Sequence, residues 1–163
     1  MTMLFAAFTS AYIVRRSGSD WRHTPLPSTL WINTALLAAS SVAVEIANRR
    51  GLARRWHTAI SAQAIAVVFG LAFLAGQILA WRQLIAAGVY LPTNPHSSFF
   101  FMLTGAHAVH IVAALGVLAW GLVATRSAWS NPRAWSVRME LCRTFWHYLG
   151  GIWLYLFALV SLY

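Results

Sequence analysis

Two histidines, His107 and His110, are the residues whose type and spacing are best suited to chemistry. They lie three residues apart in residues 105–110 (GAHAVH) and therefore share one face of a helix. Imidazole is the commonest metal ligand, so the pair could ligate haem or a metal ion. A bis-histidine haem normally takes its ligands from two helices, whereas an i,i+3 pair directs both rings towards one surface. The spacing therefore favours hydrogen bonds to a neighbouring helix or a lipid phosphate over metal ligation.

Two further ionisable residues, Glu140 and His147, lie on one face of the last apolar stretch, because they are seven residues apart. No carboxylate cluster completes a metal site, and the sequence has no nucleotide-binding loop, nucleophile elbow or metalloprotease helix. We therefore expect no catalytic, metal-binding or cofactor-binding residue in this chain. We expect His107, His110, Glu140 and His147, called the polar seam below, to join helices or to bind a lipid headgroup.

Glu45 and Arg49 are the remaining candidate pair. Arg49 follows Glu45 by four residues near the end of a long apolar stretch, which is the order that favours an ion pair on a helix. We expect this ion pair to lie at the membrane interface and to have a structural role.

The composition of the chain places these residues in a membrane protein. Of the 163 residues, 60% are hydrophobic and only 9% are charged, whereas an ordinary soluble domain has about a quarter of its residues charged. The net charge of +9 would suit nucleic-acid binding, but the 12 basic residues, all arginine, cluster between long uncharged stretches. Basic loops between apolar spans are typical of a polytopic membrane protein. We therefore expect membrane lipid, and no nucleic acid, among its partners.

The apolar stretches predict the fold class. A membrane-spanning helix needs roughly 20 mostly apolar residues, and the sequence offers four such stretches and one shorter one. We predict an all-α polytopic membrane helical bundle of about five transmembrane helices, forming a single transmembrane domain over residues 1–163. The predicted helices cover about residues 1–16, 28–48, 57–82, 98–125 and 139–163. Ser28 or Thr29 would cap the second helix, and residues 83–97 would connect the third and fourth.

The start of the chain and the positions of the arginines allow predictions about the first helix and about the orientation of the chain in the membrane. The first helix is expected to be short or truncated at its N-terminus, and no cleavable signal peptide is expected. Seven or eight arginines lie in or beside the second and fourth loops, against four elsewhere. Because positive charge is retained in the cytoplasm, we expect those loops and the N-terminus to be cytoplasmic and the C-terminus to be external. The larger set is Arg49, Arg50, Arg54, Arg55, Arg126, Arg133, Arg138 and Arg143, and the smaller is Arg15, Arg16, Arg22 and Arg82.

Several short motifs follow one another in a specific order. Residues 101–110 read FMLTGAHAVH, and Glu140 is followed by Trp146-His147-Tyr148 and then by residues 153–157 (WLYLF). These segments resemble the T-G-x-H-x-x-H segment and the final helix of subunit III of the haem-copper terminal oxidases. Further segments resemble its other helices: residues 3–5, 10–12 and 30–34, Ser40-Ser41, and Gly76-Gln77 with Trp81. Each motif alone is weak, but their order covers essentially the whole chain.

The resemblance implies a helical bundle that packs against the catalytic subunit I of a bacterial cytochrome c or quinol oxidase. Its implied partners are subunit I as the main contact, subunits II and IV, and a larger respiratory supercomplex. This chain would carry no cofactor, since the haems and copper belong to subunits I and II, although it could bind phospholipid. The implied function is to support subunit I during reduction of O2 to water coupled to proton translocation, in the bacterial cytoplasmic (inner) membrane.

Two other functions stay open at this stage. A haem-bearing membrane anchor of another respiratory complex would show a Soret band in the isolated chain. A small membrane transporter would bind solute without the oxidase and would normally contain internal repeats or broken helices, which the sequence does not show.

Overall fold

The structure, a computed structural model, describes residues 2–18, 21, 26–91, 94–125 and 132–162, which contain five α-helices. They are α1 (Thr2–Arg15), α2 (Thr29–Leu52), α3 (Trp56–Ala86), α4 (Pro95–Thr125) and α5 (Pro132–Leu162), and these described ranges contain no β-strand. Three segments are long and apolar enough to cross a membrane: α2, α3 and Pro95–Val123 of α4. The predicted all-α membrane bundle is therefore confirmed. Arg22 and Arg126, which contribute to the predicted orientation, lie outside the described residues.

The helices α2 to α5 form a ring. α2 packs against α3 and α5, and α4 packs against the same two helices, while α1 packs against α4 from outside the ring. Large side chains fill the interior, among them Phe73, Trp146 and Trp153, which are at most 1% exposed. A second cluster, which includes Phe5 of α1 and Leu156 of α5, attaches α1 to the ring.

The last helix begins earlier than the sequence predicted. α5 starts at Pro132 rather than near residue 139. Proline suits the first helical position because its φ is already near the helical value and its missing N–H has no partner to lose there. Trp135, in the first turn, is buried against Gly51 at the end of α2, so this added segment is part of the bundle.

The connection between α3 and α4 is shorter than the predicted residues 83–97. α3 continues to Ala86, and α4 begins at Pro95, again with proline in the first helical position. Gln83 is thereby part of α3, and its Oε1 accepts a hydrogen bond of 2.8 Å from Oγ1 of Thr29 in α2. Ser28 precedes α2 but makes no side-chain capping bond, so the hydroxyl of Thr29 joins two helices instead of capping its own.

α2 and α3 end in the same backbone motif, a Schellman motif. At each end, one N–H donates to the carbonyl three residues earlier and the next N–H to the carbonyl five residues earlier. The residue whose N–H bonds to the carbonyl three residues earlier has a left-handed backbone conformation, and it is usually glycine. In α3 it is Gly88, with φ 78°, whereas in α2 it is Arg54, with φ 55°. An arginine therefore occupies a position where glycine would have less steric strain.

Candidate functional site

His107 lies in the middle of α4 and is fully buried. Aromatic rings of three other helices surround it: Phe5 of α1, Phe73 of α3 and Trp153 of α5, with centroids 6.4, 6.1 and 5.3 Å away. Neither ring nitrogen has a hydrogen-bond partner among the described residues. The contacts of this imidazole are therefore those of a packed aromatic side chain.

His110 lies nearly one turn further along α4 and is half-buried. Its Nδ1 is 2.6 Å from the carbonyl oxygen of Ala106 in the same helix, and its ring centroid is 5.6 Å from that of Phe5. Both histidines thus contact Phe5, and through it they join α4 to α1.

The other two residues of the polar seam lie elsewhere. His147 is exposed and lines a cavity of about 350 Å³ between α2 and α5, together with Ser41 and Trp153. Trp153 also contacts His107, and its Nε1 donates a 3.0 Å hydrogen bond to Oγ1 of Thr34 in α2. Glu140 is exposed near the start of α5. The structure therefore does not bring the four residues of the polar seam into one cluster.

A network of charged side chains joins α2 to α5. Nε of Arg49 donates to Oε1 of Glu45 at 3.0 Å, so the structure contains the pair expected from the sequence. Arg143 of α5 donates to both carboxylates, to Oε2 of Glu45 at 3.2 Å and to Oε1 of Glu140 at 2.7 Å. These four residues are called the ion-pair network below. Neither contact of Arg143 was predicted from the sequence. The three-residue spacing of Glu140 and Arg143 is a local signal for the pair within α5, whereas no local signal indicates the contact of Arg143 with Glu45.

Buried amide and hydroxyl groups form a second set of contacts that the sequence analysis missed. Nε2 of Gln63 in α3 donates to the carbonyl of Leu118 in α4 at 3.0 Å, and Oγ of Ser40 in α2 donates to the carbonyl of Ala66 in α3 at 2.8 Å. Because lipid tails cannot hydrogen-bond, such contacts hold helices together within a bilayer. These two hydrogen bonds therefore connect α3 to α4 and α2 to α3.

The described residues contain no group of three or more histidine, cysteine, aspartate or glutamate side chains that could hold a metal ion. What they present instead are apolar and hydrogen-bonded contacts between helices, with one charged network at the end where α2 stops and α5 starts. These contacts hold the helices of the bundle to one another.

Comparison with known proteins identifies the family of this chain. Residues 17–163 match the family model described as cytochrome c oxidase subunit III. The chain is 28% identical to a probable cytochrome c oxidase subunit 3 of Nocardia farcinica, over 97% of this chain and 80% of the relative. It is also 28% identical to subunit 3 of the cytochrome bo(3) ubiquinol oxidase of Pseudomonas aeruginosa, over 98% of this chain and 78% of that relative. The chain therefore belongs to the cytochrome c oxidase subunit III family, the third subunits of the haem-copper oxidases.

Proposed function

We propose that this chain is a non-catalytic subunit of a bacterial oxidase complex that reduces O2 to water and couples that reaction to proton translocation. The observation that carries the proposal is the family match over residues 17–163. Its main partner would be subunit I, with subunits II and IV, and a larger respiratory supercomplex as further contacts. Because relatives named for cytochrome c and for ubiquinol both match, either electron donor fits.

The proposed task of the chain is to stabilise subunit I and to protect its proton-uptake entrance during turnover. In support, the ring of α2 to α5 has a filled interior and an apolar exterior. Exposed apolar side chains run along one helix, α3, among them Ile65, Val68, Leu71, Ile78 and Leu79. A surface of this kind suits a neighbouring membrane subunit or lipid tails. The haems and copper would belong to the other subunits, and bound phospholipid would be an additional component.

The proposed orientation has a cytoplasmic N-terminus and an external C-terminus, in the bacterial inner membrane. The end of α2 and the start of α5 lie together, since Trp135 packs on Gly51. Arginines of the second loop and of α5 therefore gather at one end of the bundle, which retention of positive charge would place in the cytoplasm.

The four residues of the polar seam have structural roles in this proposal. His107 and His110 attach α1 to the ring through Phe5, while Glu140 acts with Arg143 to tie α5 to α2. His147 lies at a cavity open to lipid or to a neighbouring subunit.

Purification of the complex through an affinity tag on this chain tests the proposal. We expect haem-copper subunits I and II to co-purify and to be identified by mass spectrometry. Removal of this chain with detergent should leave all haem and copper in the remaining complex, with nearly the same initial rate of O2 consumption but faster inactivation during turnover. Addition of the purified chain should restore the lifetime, which controls for detergent damage.

Two results would contradict the proposal. If no oxidase subunit co-purifies with the tagged chain, the proposed complex is wrong. If haem is lost in proportion to the chain, or the isolated chain shows a Soret band, the chain is a haem-bearing anchor.

A further inference from the structure

A cavity at one end of the bundle combines two arginines with two indole rings. It has a volume of about 200 Å³, lies where the end of α2 meets the start of α5, and is lined by Arg54, Arg133, Trp56 and Trp135. Both arginines are exposed. The two indole rings pack edge to face, with centroids 5.2 Å apart. Positive charge and flat apolar surface therefore lie side by side in what we call the arginine–tryptophan cavity.

The wall of this cavity is held in place by close packing. An ideal Cβ atom on Gly51 would lie 1.9 Å from Cη2 of Trp135, so the ring occupies the space that a side chain would fill. Trp135 is only 4% exposed and belongs to the main core. The indole that lines the cavity is therefore fixed by the helix packing.

The arginines of the cavity have no acidic partner in the part of the chain that the structure describes. The chain has three acidic residues. Two of them belong to the ion-pair network, and the third, Asp20, lies outside the described residues. A guanidinium group presents a planar set of N–H donors that matches the oxygens of a phosphate. Arg54 and Arg133 are thus suited to bind an anion, and the described residues of the chain do not supply one.

The backbone at Arg54 is an independent observation. Arg54 occupies the left-handed position of its Schellman motif, which Gly88 occupies at the end of α3. Glycine would adopt that conformation without the steric strain that a side chain adds. Strain of this kind is often found at functional sites, where the position of the side chain matters.

We propose that the arginine–tryptophan cavity binds the phosphate group of an anionic phospholipid. Arg54 and Arg133 would bind the phosphate oxygens, and Trp56 and Trp135 would contact the apolar part next to the headgroup. A lipid is favoured over a free phosphate ion because tryptophan is enriched at membrane–water interfaces. Arginine clusters beside membrane helices also attract acidic headgroups. This site is separate from the polar seam.

Calorimetric titration of the purified full-length chain in neutral detergent tests the proposal. The probes are dihexanoyl phosphatidylglycerol, dihexanoyl phosphatidylcholine and inorganic phosphate. We expect the anionic lipid to bind, and Arg54→Gly and Arg133→Gln each to weaken its binding by about fivefold, since one arginine near an anionic headgroup contributes ~1 kcal/mol. Arg54→Gly should keep the turn intact, because glycine suits its backbone, so its melting temperature should be at least that of the wild type.

Arg82→Gln is the matched control, because Arg82 is an exposed arginine at the opposite end of α3. This variant should bind the anionic lipid as the wild type does. The proposal is overturned if both lipids bind equally well, if Arg82→Gln weakens binding as much as Arg54→Gly does, or if inorganic phosphate displaces the lipid at equal concentration. It is also overturned if Arg54→Gly detaches the oxidase subunits while lipid affinity stays unchanged, because the cavity would then receive a partner protein.

Discussion

Replacement of Gly51 by alanine is expected to destabilise the protein, although alanine favours helices. The new methyl group would lie 1.9 and 2.2 Å from Cη2 and Cζ2 of Trp135, far inside the ~3.5–4.0 Å of an ordinary carbon contact. The ring cannot move aside freely, because it is 4% exposed and packs edge to face on Trp56. Trp135 must therefore shift away from the end of α2.

The size of the effect follows from two opposing contributions. Overpacking of a core typically costs about 1–3 kcal/mol. Exchange of glycine for alanine within a helix contributes up to about 1 kcal/mol in the opposite direction. We therefore expect Gly51→Ala to lower the free energy of unfolding by up to about 3 kcal/mol. Gly116 of α4 is the matched control. Apart from its chain neighbours and the backbone of its own helix, no atom lies within 4 Å of the position that a Cβ atom would occupy there. Gly116→Ala should therefore be neutral or stabilising by up to about 1 kcal/mol.

Unfolding in mixed micelles with increasing sodium dodecyl sulfate, followed by circular dichroism, measures both variants. A second comparison places Gly51→Ala in a Trp135→Leu background, where the smaller side chain should remove most of the cost. The reasoning is refuted if Gly51→Ala is as stable as Gly116→Ala, or if its cost is unchanged when Trp135 is absent.

Three further predictions concern the histidines and the orientation. His110→Leu or His147→Leu should weaken attachment to subunit I or speed inactivation during turnover while the initial O2 consumption changes little; loss of the first turnovers in an assembled complex would indicate a catalytic role. His107→Phe should leave the free energy of unfolding unchanged or raise it by up to about 1–3 kcal/mol, because it removes buried polar atoms that have no protein partner among the described residues. A clearly lower free energy of unfolding in mixed micelles would contradict this. The orientation can be tested with single cysteines in a Cys142→Ala background, placed at the exposed positions Ala53 and Tyr90. The cysteine at Ala53 should react with a membrane-impermeant maleimide only from the cytoplasm, and the cysteine at Tyr90 only from outside. The reverse pattern would invert the proposed orientation.

The helices could be predicted from the sequence because charge is so costly in a bilayer that the arginine-free stretches delimit the spans. The start of α5 could not be predicted in this way. Its first turns contain Arg133 and Arg138 and extend beyond the apolar run. They belong to the bundle because Trp135 packs on Gly51, a contact between residues far apart in the sequence.

The candidate site shows the same limit. The pair of Glu45 and Arg49 is local, so helical periodicity alone identifies it. The contact of Arg143 with Glu45 depends on how α5 is rotated against α2, which periodicity does not specify. Periodicity likewise places His107 and His147 on helix faces, but it does not give the neighbour of each face. The aromatic surroundings of His107 and the open cavity of His147 therefore emerge only from the packing.

The arginines of α5 differ in partner according to their position along the helix. Arg133 and Arg143 are separated by about 15 Å at ~1.5 Å per residue. Arg143, the furthest into the helix, is bonded to two carboxylates and its side chain is 29% exposed. Arg138 lies over the ring of Trp120, 5.3 Å from its centroid, while Arg133 borders the arginine–tryptophan cavity. A charge needs more compensation the deeper it lies in a membrane. The order from carboxylate to indole to open cavity is therefore the one expected if the start of α5 lies at the headgroups, in agreement with the proposed orientation.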